Sequence, residues 1–258
     1  MAALIVFIGL LLPSLAFAAE IEWMVQDLPP IYIRSGPNRG NGYADRQMAL
    51  IIGRLPEFQH KVVDTTFARA WHDIGEHDNI CISGVAKTSE RTAIALFSQP
   101  IATASSSRLL IRAGDEARFK DVFSTDGKID LDLLAQRRDL SGGYAAKRSF
   151  TNRLDAFVHR DTEGVKLEVL PNEFQLFNLL KTGRIDFMFA SLREIEHYER
   201  QESGPHPFKY FAVAGEAERV DVYVACSDQP VGRAVIERVD WLLGHSNLAA
   251  AIRELTPK

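Results

Sequence analysis

Short apolar runs of strand length alternate with segments of helical period along almost the whole chain, and this alternation confines it to an α/β architecture. Glu20 to Val25 reads as a strand, and a Pro/Gly/Asn-rich loop from Asp27 to Asn41 follows it. Gly42 to Leu55 reads as a helix with Tyr43, Met48, Leu50, Ile51 and Leu55 on its apolar face. Lys61 to Thr66 then reads as a strand, Phe67 to Ile74 as a short helix, Ile80 to Ile82 as a strand, and Ile101 to Ile111 as β-rich. Further on, helices are expected at 131–136, 149–157, 173–180 and 192–199, with strands at 139–141, 165–170 and 185–190 between them. Phe211 to Cys226 leads back, and two helical segments, 231–243 and 248–255, close the chain. Thr182-Gly183 after the 173–180 helix is a good left-handed stop.

With 258 residues, 46% of them hydrophobic, the chain can bury one large core or two smaller ones. A formal net charge of −4 without a clustered basic stretch argues against a nucleic-acid partner. Met1 to Ala18 has no charged side chain, is apolar almost throughout and ends in Ala16-Phe17-Ala18. It reads as a signal peptide, although no Lys or Arg stands in its first residues. The exported protein is therefore expected to start near Ala19, and no cysteine stands there to carry a lipid. Cys81 and Cys226 are too few for a disulfide scaffold and lack metal-ligand spacing. In an oxidising compartment they can bridge; two buried free thiols are the other reading.

The most informative segment is 80–100. The Ile80-Cys81-Ile82 strand ends in Ser83-Gly84, and Lys87-Thr88-Ser89-Glu90-Arg91 reads as a helix start with an acid in its first turn. Arg91 thus stands just past a strand tip, where its planar fork can grip a carboxylate in two parallel bonds. Followed by Phe97-Ser98-Gln99-Pro100, this resembles the T-x-x-R … F-S-x-P segment of the family 3 extracellular solute-binding proteins, the bilobed receptors of polar amino acid ABC importers. Leu180-Lys181-Thr182-Gly183-Arg184-Ile185-Asp186 resembles the family's L-x-x-G-R-[IV]-D turn, and Gly42-Tyr43 is similar to the dipeptide before its first long helix.

The resemblance covers nearly all of the chain after the leader and implies the two-lobed type II periplasmic binding fold. Lobe 1 is expected to be discontinuous, residues 19–106 plus 219–258, with lobe 2, residues 107–218, inserted through two crossings near 105–110 and 215–221. It places Cys81 and Cys226 on neighbouring lobe 1 strands. It also implies ligand contacts at Ser83, Gly84 and Ala86, and carboxylate binding at Thr88 and Arg91. A Gly142-Gly143 turn would lead into a helix starting at Ser149, whose N–H groups, with Arg148, suit a ligand oxygen. Tyr32, Tyr43, Phe67 and Trp71 are candidate aromatic walls.

One position departs from the family. The aspartate that pairs a ligand's α-ammonium is replaced by Ser191, which cannot ionise, and Asp186 is expected to bond local backbone instead. A carboxylate-bearing solute without that ammonium, or one held by another acid, fits as well as an amino acid. No cofactor is expected, and His72-Asp73 with His77-Asp78 makes a poor metal site because residues five apart on a helix do not share a face. The resemblance implies a periplasmic monomer that delivers a solute to ABC importer membrane subunits. Two alternatives share the fold: a cyclohexadienyl dehydratase-like enzyme, for which Glu173 or Glu194 would be the acid, and a sensory ectodomain. No hydrolase elbow, zinc-protease or Walker motif is present.

Overall fold

The computed structural model of the protein describes residues 19–146, 148–160, 163–201 and 206–256. The expected leader at 1–18 lies outside them.

The first part of the chain runs β1 (Glu20–Val25), α1 (Tyr43–Ile52), β2 (Gln59–Asp64), α2 (Phe67–Glu76), β3 (Ile80–Val85), α3 (Ser89–Thr92), β4 (Ala95–Phe97) and β5 (Ala102–Ser105). A second series follows: β6 (Ser107–Arg112), a 3-10 turn (Glu116–Val122), α4 (Leu131–Ala135), β7 (Ser141–Ala145), α5 (Asn152–Val158), β8 (Lys166–Leu170), α6 (Glu173–Lys181), β9 (Phe187–Ser191), α7 (Leu192–Gln201) and β10 (Phe208–Phe211). Then β11 (Arg219–Ser227), α8 (Pro230–His245) and α9 (Leu248–Leu255) return to the first series.

These elements build two sheets. One has the order β2-β1-β3-β11-β4 with β5 paired to β11; the other has the order β10-β6-β9-β7-β8. In the first, β1 lies parallel to β2 and β3, whereas β11 runs antiparallel to β3, β4 and β5. The protein is therefore a two-lobed α/β molecule, with β11 carrying the chain home.

Each sheet is covered on both faces, which explains its continuous apolar strands. In lobe 1, Ile21 and Trp23 pack with Met48, Ile51, Val239 and Ile252, while Met24, Ile80 and Ile82 face Ala70, Trp71 and Ile74 of α2. The second sheet shows the two-residue strand period directly. Leu109, Phe187 and Phe189 join Leu154 and Phe157 on one face; Leu110, Met188 and Ala190 join Leu176, Leu180 and Ile195 on the other.

Cys81 and Cys226 stand opposite each other in the β3–β11 pair and are joined by a disulfide across 145 residues of sequence. A loop of that length loses about 5 kcal/mol of unfolded-chain entropy in the chain-entropy account. The two crossings run side by side: Ser106 donates its backbone N–H to Glu218 O at 3.0 Å and its hydroxyl to Ala217 O.

Three readings of the sequence need correction. Gly142 and Gly143 do not form a turn but lie inside β7. A Cβ on Gly142 would stand 2.4 Å from the Phe187 ring and one on Gly143 2.4 Å from Leu176, so glycine here admits close packing rather than a bend. The helix expected from Ser149 begins only at Asn152, because the Thr151 hydroxyl accepts from Leu154 N and caps it. Ser149 therefore offers no helix N-terminus. Finally, Phe208–Phe211 is a separate edge strand, antiparallel to β6, rather than the start of the return.

Candidate functional site

A cleft of about 120 Å³ lies where the two lobes meet the crossings. From lobe 1 it is lined by Tyr32, Tyr43, Phe67, Ser83, Gly84, Ala86 and Arg91; from lobe 2 by Arg148, Ser149, Phe150, Thr151, Ser191 and Arg193. The crossing supplies Ser105, Ser106 and Ser107.

The end of β3 shapes the lobe 1 wall. Gly84 takes φ +68°, a left-handed conformation that turns the strand tip and that a side chain would strain. Tyr32 donates its hydroxyl to Ser83 O at 2.9 Å, and burial raises its pKa above the ordinary phenol value. Tyr43 is pushed up to about 12 by burial, with Glu194 adding to the shift.

Arg91 reaches the cleft from α3, whose first turn is closed by the Thr88 hydroxyl accepting from Arg91 N. Its Nη1 donates to Ala86 O at 3.0 Å, and its guanidinium lies 4.3 Å from the centre of the Trp71 ring, which stacks in turn on Phe97. Burial pushes the Arg91 pKa down to about 10, against the charges of Asp155 and Glu90. A guanidinium over an indole face makes a cation–π contact and carries its N–H donors along its own edge.

The opposite wall is built on charge pairs. Arg148 donates to Glu194 Oε1 at 2.5 Å, to Glu194 Oε2 at 2.8 Å and to Glu173 Oε1 at 3.0 Å. Burial works against the Arg148 charge, but the two glutamates outweigh it and hold the guanidinium above its usual range. Burial also works against the Glu194 charge, yet Arg148 and Ser191 outweigh it and lower its pKa. Glu173 is raised, chiefly by burial and also by Glu194. Ser191 closes the arrangement, donating its N–H at 2.9 Å and its hydroxyl at 2.5 Å to Glu194 Oε2. Ser149 donates its hydroxyl to Asp155, which also accepts Phe150 N at 2.9 Å.

The structure thus brings Tyr32, Tyr43, Ser83, Gly84, Ala86, Arg91, Arg148, Ser149 and Ser191 onto one cleft. Two residues expected there are not among its lining. Thr88 is spent on capping α3, and Trp71 stands behind Arg91 on an adjoining cavity of about 250 Å³ that also touches Asp155 and His159. Arg148 lines the cleft, but its carboxylate partners occupy most of its donors. Ser105 to Ser107 escaped the sequence reading, although three consecutive serines between two apolar strands are visible in it. Asp186 lies away from the cleft, accepting Ser141 N at 2.9 Å and Arg118 Nη1 at 2.5 Å.

Solved structures share this architecture. An amino acid ABC transporter substrate-binding protein, AbpA from Streptococcus pneumoniae, bound to L-arginine, aligns with TM-score 0.63 at 18% identity, covering 92% of this chain and 94% of its own. The GluR0 ligand-binding core from Nostoc punctiforme in complex with L-glutamate aligns with TM-score 0.63 at 15% identity over 91% and 96% of the two chains. The ancestral amino acid-binding protein AncCDT-1, a precursor of cyclohexadienyl dehydratase, gives 0.64 at 14% identity over 92% and 94%. No protein-family model matches the sequence, and no curated protein matches it. At these identities the likeness establishes the fold, that of the two-lobed periplasmic binding proteins.

Proposed function

We propose that the protein is a solute receptor that closes its two lobes on a small carboxylate-bearing solute and delivers it to an ABC importer. The observation that carries this reading is Arg91. It is a buried guanidinium at a strand tip, stacked on Trp71 and lining an interlobe cleft beside the crossing serines. Such a fork binds a carboxylate in two parallel bonds, and the hydroxyls of Ser105 and Ser107 are further donors. The size of the cleft favours a small solute, since drug-sized ligands occupy ~300–1,000 Å³. The S. pneumoniae protein of the same fold, an importer's substrate-binding component, supports the transport role.

The test is a thermal-shift screen of amino acids, hydroxy acids and dicarboxylates, followed by calorimetry. A ligand that binds the folded chain raises its melting temperature by mass action. The receptor reading expects at least one such acid to do so, and expects that acid to be recovered chemically unchanged.

One observation favours a second reading, an acid–base enzyme of this fold. The buried Glu173 carboxyl has a raised pKa, as a proton donor at neutral pH requires. It opens, however, on a cavity of about 440 Å³ beyond Arg148 and not on the cleft that Arg91 lines. Conversion of a bound acid, followed by NMR, would decide for the enzyme.

A further inference from the structure

Among the described residues that line the cleft, three are arginines and none is a carboxylate. Arg91 stands on one wall, Arg148 and Arg193 on the other, with serine hydroxyls between them. The nearby acids, Glu90, Asp155, Glu173 and Glu194, all lie off this lining, on the adjoining cavities. Glu194 receives Arg148 on both carboxylate oxygens, and its Oε2 also takes the N–H and the hydroxyl of Ser191. Glu173 holds Arg148 from the far side and lines a different cavity. Asp155 accepts Phe150 N and the Ser149 hydroxyl and lines the cavity behind Arg91.

An ammonium group entering this cleft would leave water to face guanidinium groups, with no carboxylate on the lining to receive it. Burying a charge without a partner is costly. A hydroxyl or a second carboxylate meets the reverse condition, because every charged side chain on the lining is a donor. Ser191 does not stand in for an acid either, since its hydrogen is given to Glu194 and its hydroxyl carries no charge.

We infer that the solute is a small organic acid without an α-ammonium, a 2-hydroxy acid or dicarboxylate rather than an amino acid, selected by a cleft whose described lining carries arginines and hydroxyls and no carboxylate. This rests on the receptor reading above and narrows it.

The experiment is calorimetry on the full chain with matched pairs that differ only in hydroxyl against ammonium: lactate and alanine, malate and aspartate, 2-hydroxyglutarate and glutamate. The hydroxy acid is expected to bind at least tenfold more tightly than its amino partner in every pair that binds. A smaller preference, or a preference for the amino acid, overturns the inference and leaves the receptor reading standing. If none of the six binds a chain that still melts cooperatively, the inference falls, and the receptor reading is decided separately by the wider thermal-shift screen.

Discussion

The two arginines on opposite walls of the cleft are almost equally buried, Arg91 at 7% exposure and Arg148 at 8%, yet their surroundings do opposite things to them. Arg148 is gripped by two carboxylates that hold its charge firmly on. Arg91 lies on an aromatic face with a backbone carbonyl at its Nη1, and burial drives its pKa down. A buried guanidinium clamped by acids is part of the wall. Arg91 stands outside that network, over a ring, with burial weighing against its charge. Burial alone says nothing about role; the identity of the neighbours does.

The sharpest way to break this contrast is to remove Arg148. Arg148→Met leaves Glu173 and Glu194 buried with like charges and no cation between them. It is expected to cost about 3–5 kcal/mol of stability, read by urea denaturation at neutral pH. A loss below about 1 kcal/mol, the scale of an exposed pair, would mean that the two walls do not differ as described.

Arg91→Ala should show the opposite profile. Affinity for the acid found in the screen is expected to fall by about 2–5 kcal/mol if the charge pair is desolvated. Arg91→Lys should also weaken binding, because an ammonium cannot reproduce the fork. Calorimetry gives both values. Undiminished affinity in Arg91→Ala would make Arg91 a second structural arginine and erase the contrast.

Residues of both walls were legible in the sequence, but the contacts that hold them were legible only in lobe 1. Arg91 could be placed because everything that positions it is local: the apolar β3 run, the Ser83-Gly84 tip and the Thr88 cap lie within a few residues. Arg148 drew attention as a cation near a glycine turn, yet its partners are 25 and 46 residues away, and neither forms part of any local pattern. The same distance effect hid β7. Two adjacent glycines ordinarily weaken a strand, and the Phe187 and Leu176 side chains that require them belong to β9 and α6. Apart from β7 and the Phe208–Phe211 edge strand, the α/β order was legible because strand and helix periods are local, whereas the charge network is a product of packing.

Acidity separates the two glutamates that hold Arg148. Glu194 has a lowered pKa, so its contribution is fully present above its ordinary value of 4.5 and is lost as pH falls through the folded value. Glu173 is raised, so its effect runs the other way: stability is full below 4.5 and declines as pH rises through the folded value. Glu173→Gln removes the second decline and keeps the Arg148–Glu194 pair. Its stability relative to wild type is therefore expected to improve as pH rises from about 4.5 towards neutrality, and denaturant titrations at several pH values would show it. A relative stability that falls over that window would place the raised carboxyl elsewhere.

The smallest effect concerns Thr88, which the family resemblance puts on the ligand and the structure puts on the helix. Its hydroxyl accepts from Arg91 N, an N-cap of α3, and it is absent from the cleft lining. Thr88→Ala should thus cost about 1 kcal/mol of stability, the usual worth of a cap, with Thr88→Ser recovering most of it. Binding should weaken less than tenfold, through loosened placement of Arg91, and Thr88→Ser should recover that as well. A hundredfold loss of affinity in Thr88→Ala with unchanged stability would show that the hydroxyl reaches the solute, and Thr88 would then join Arg91 in the proposed carboxylate site.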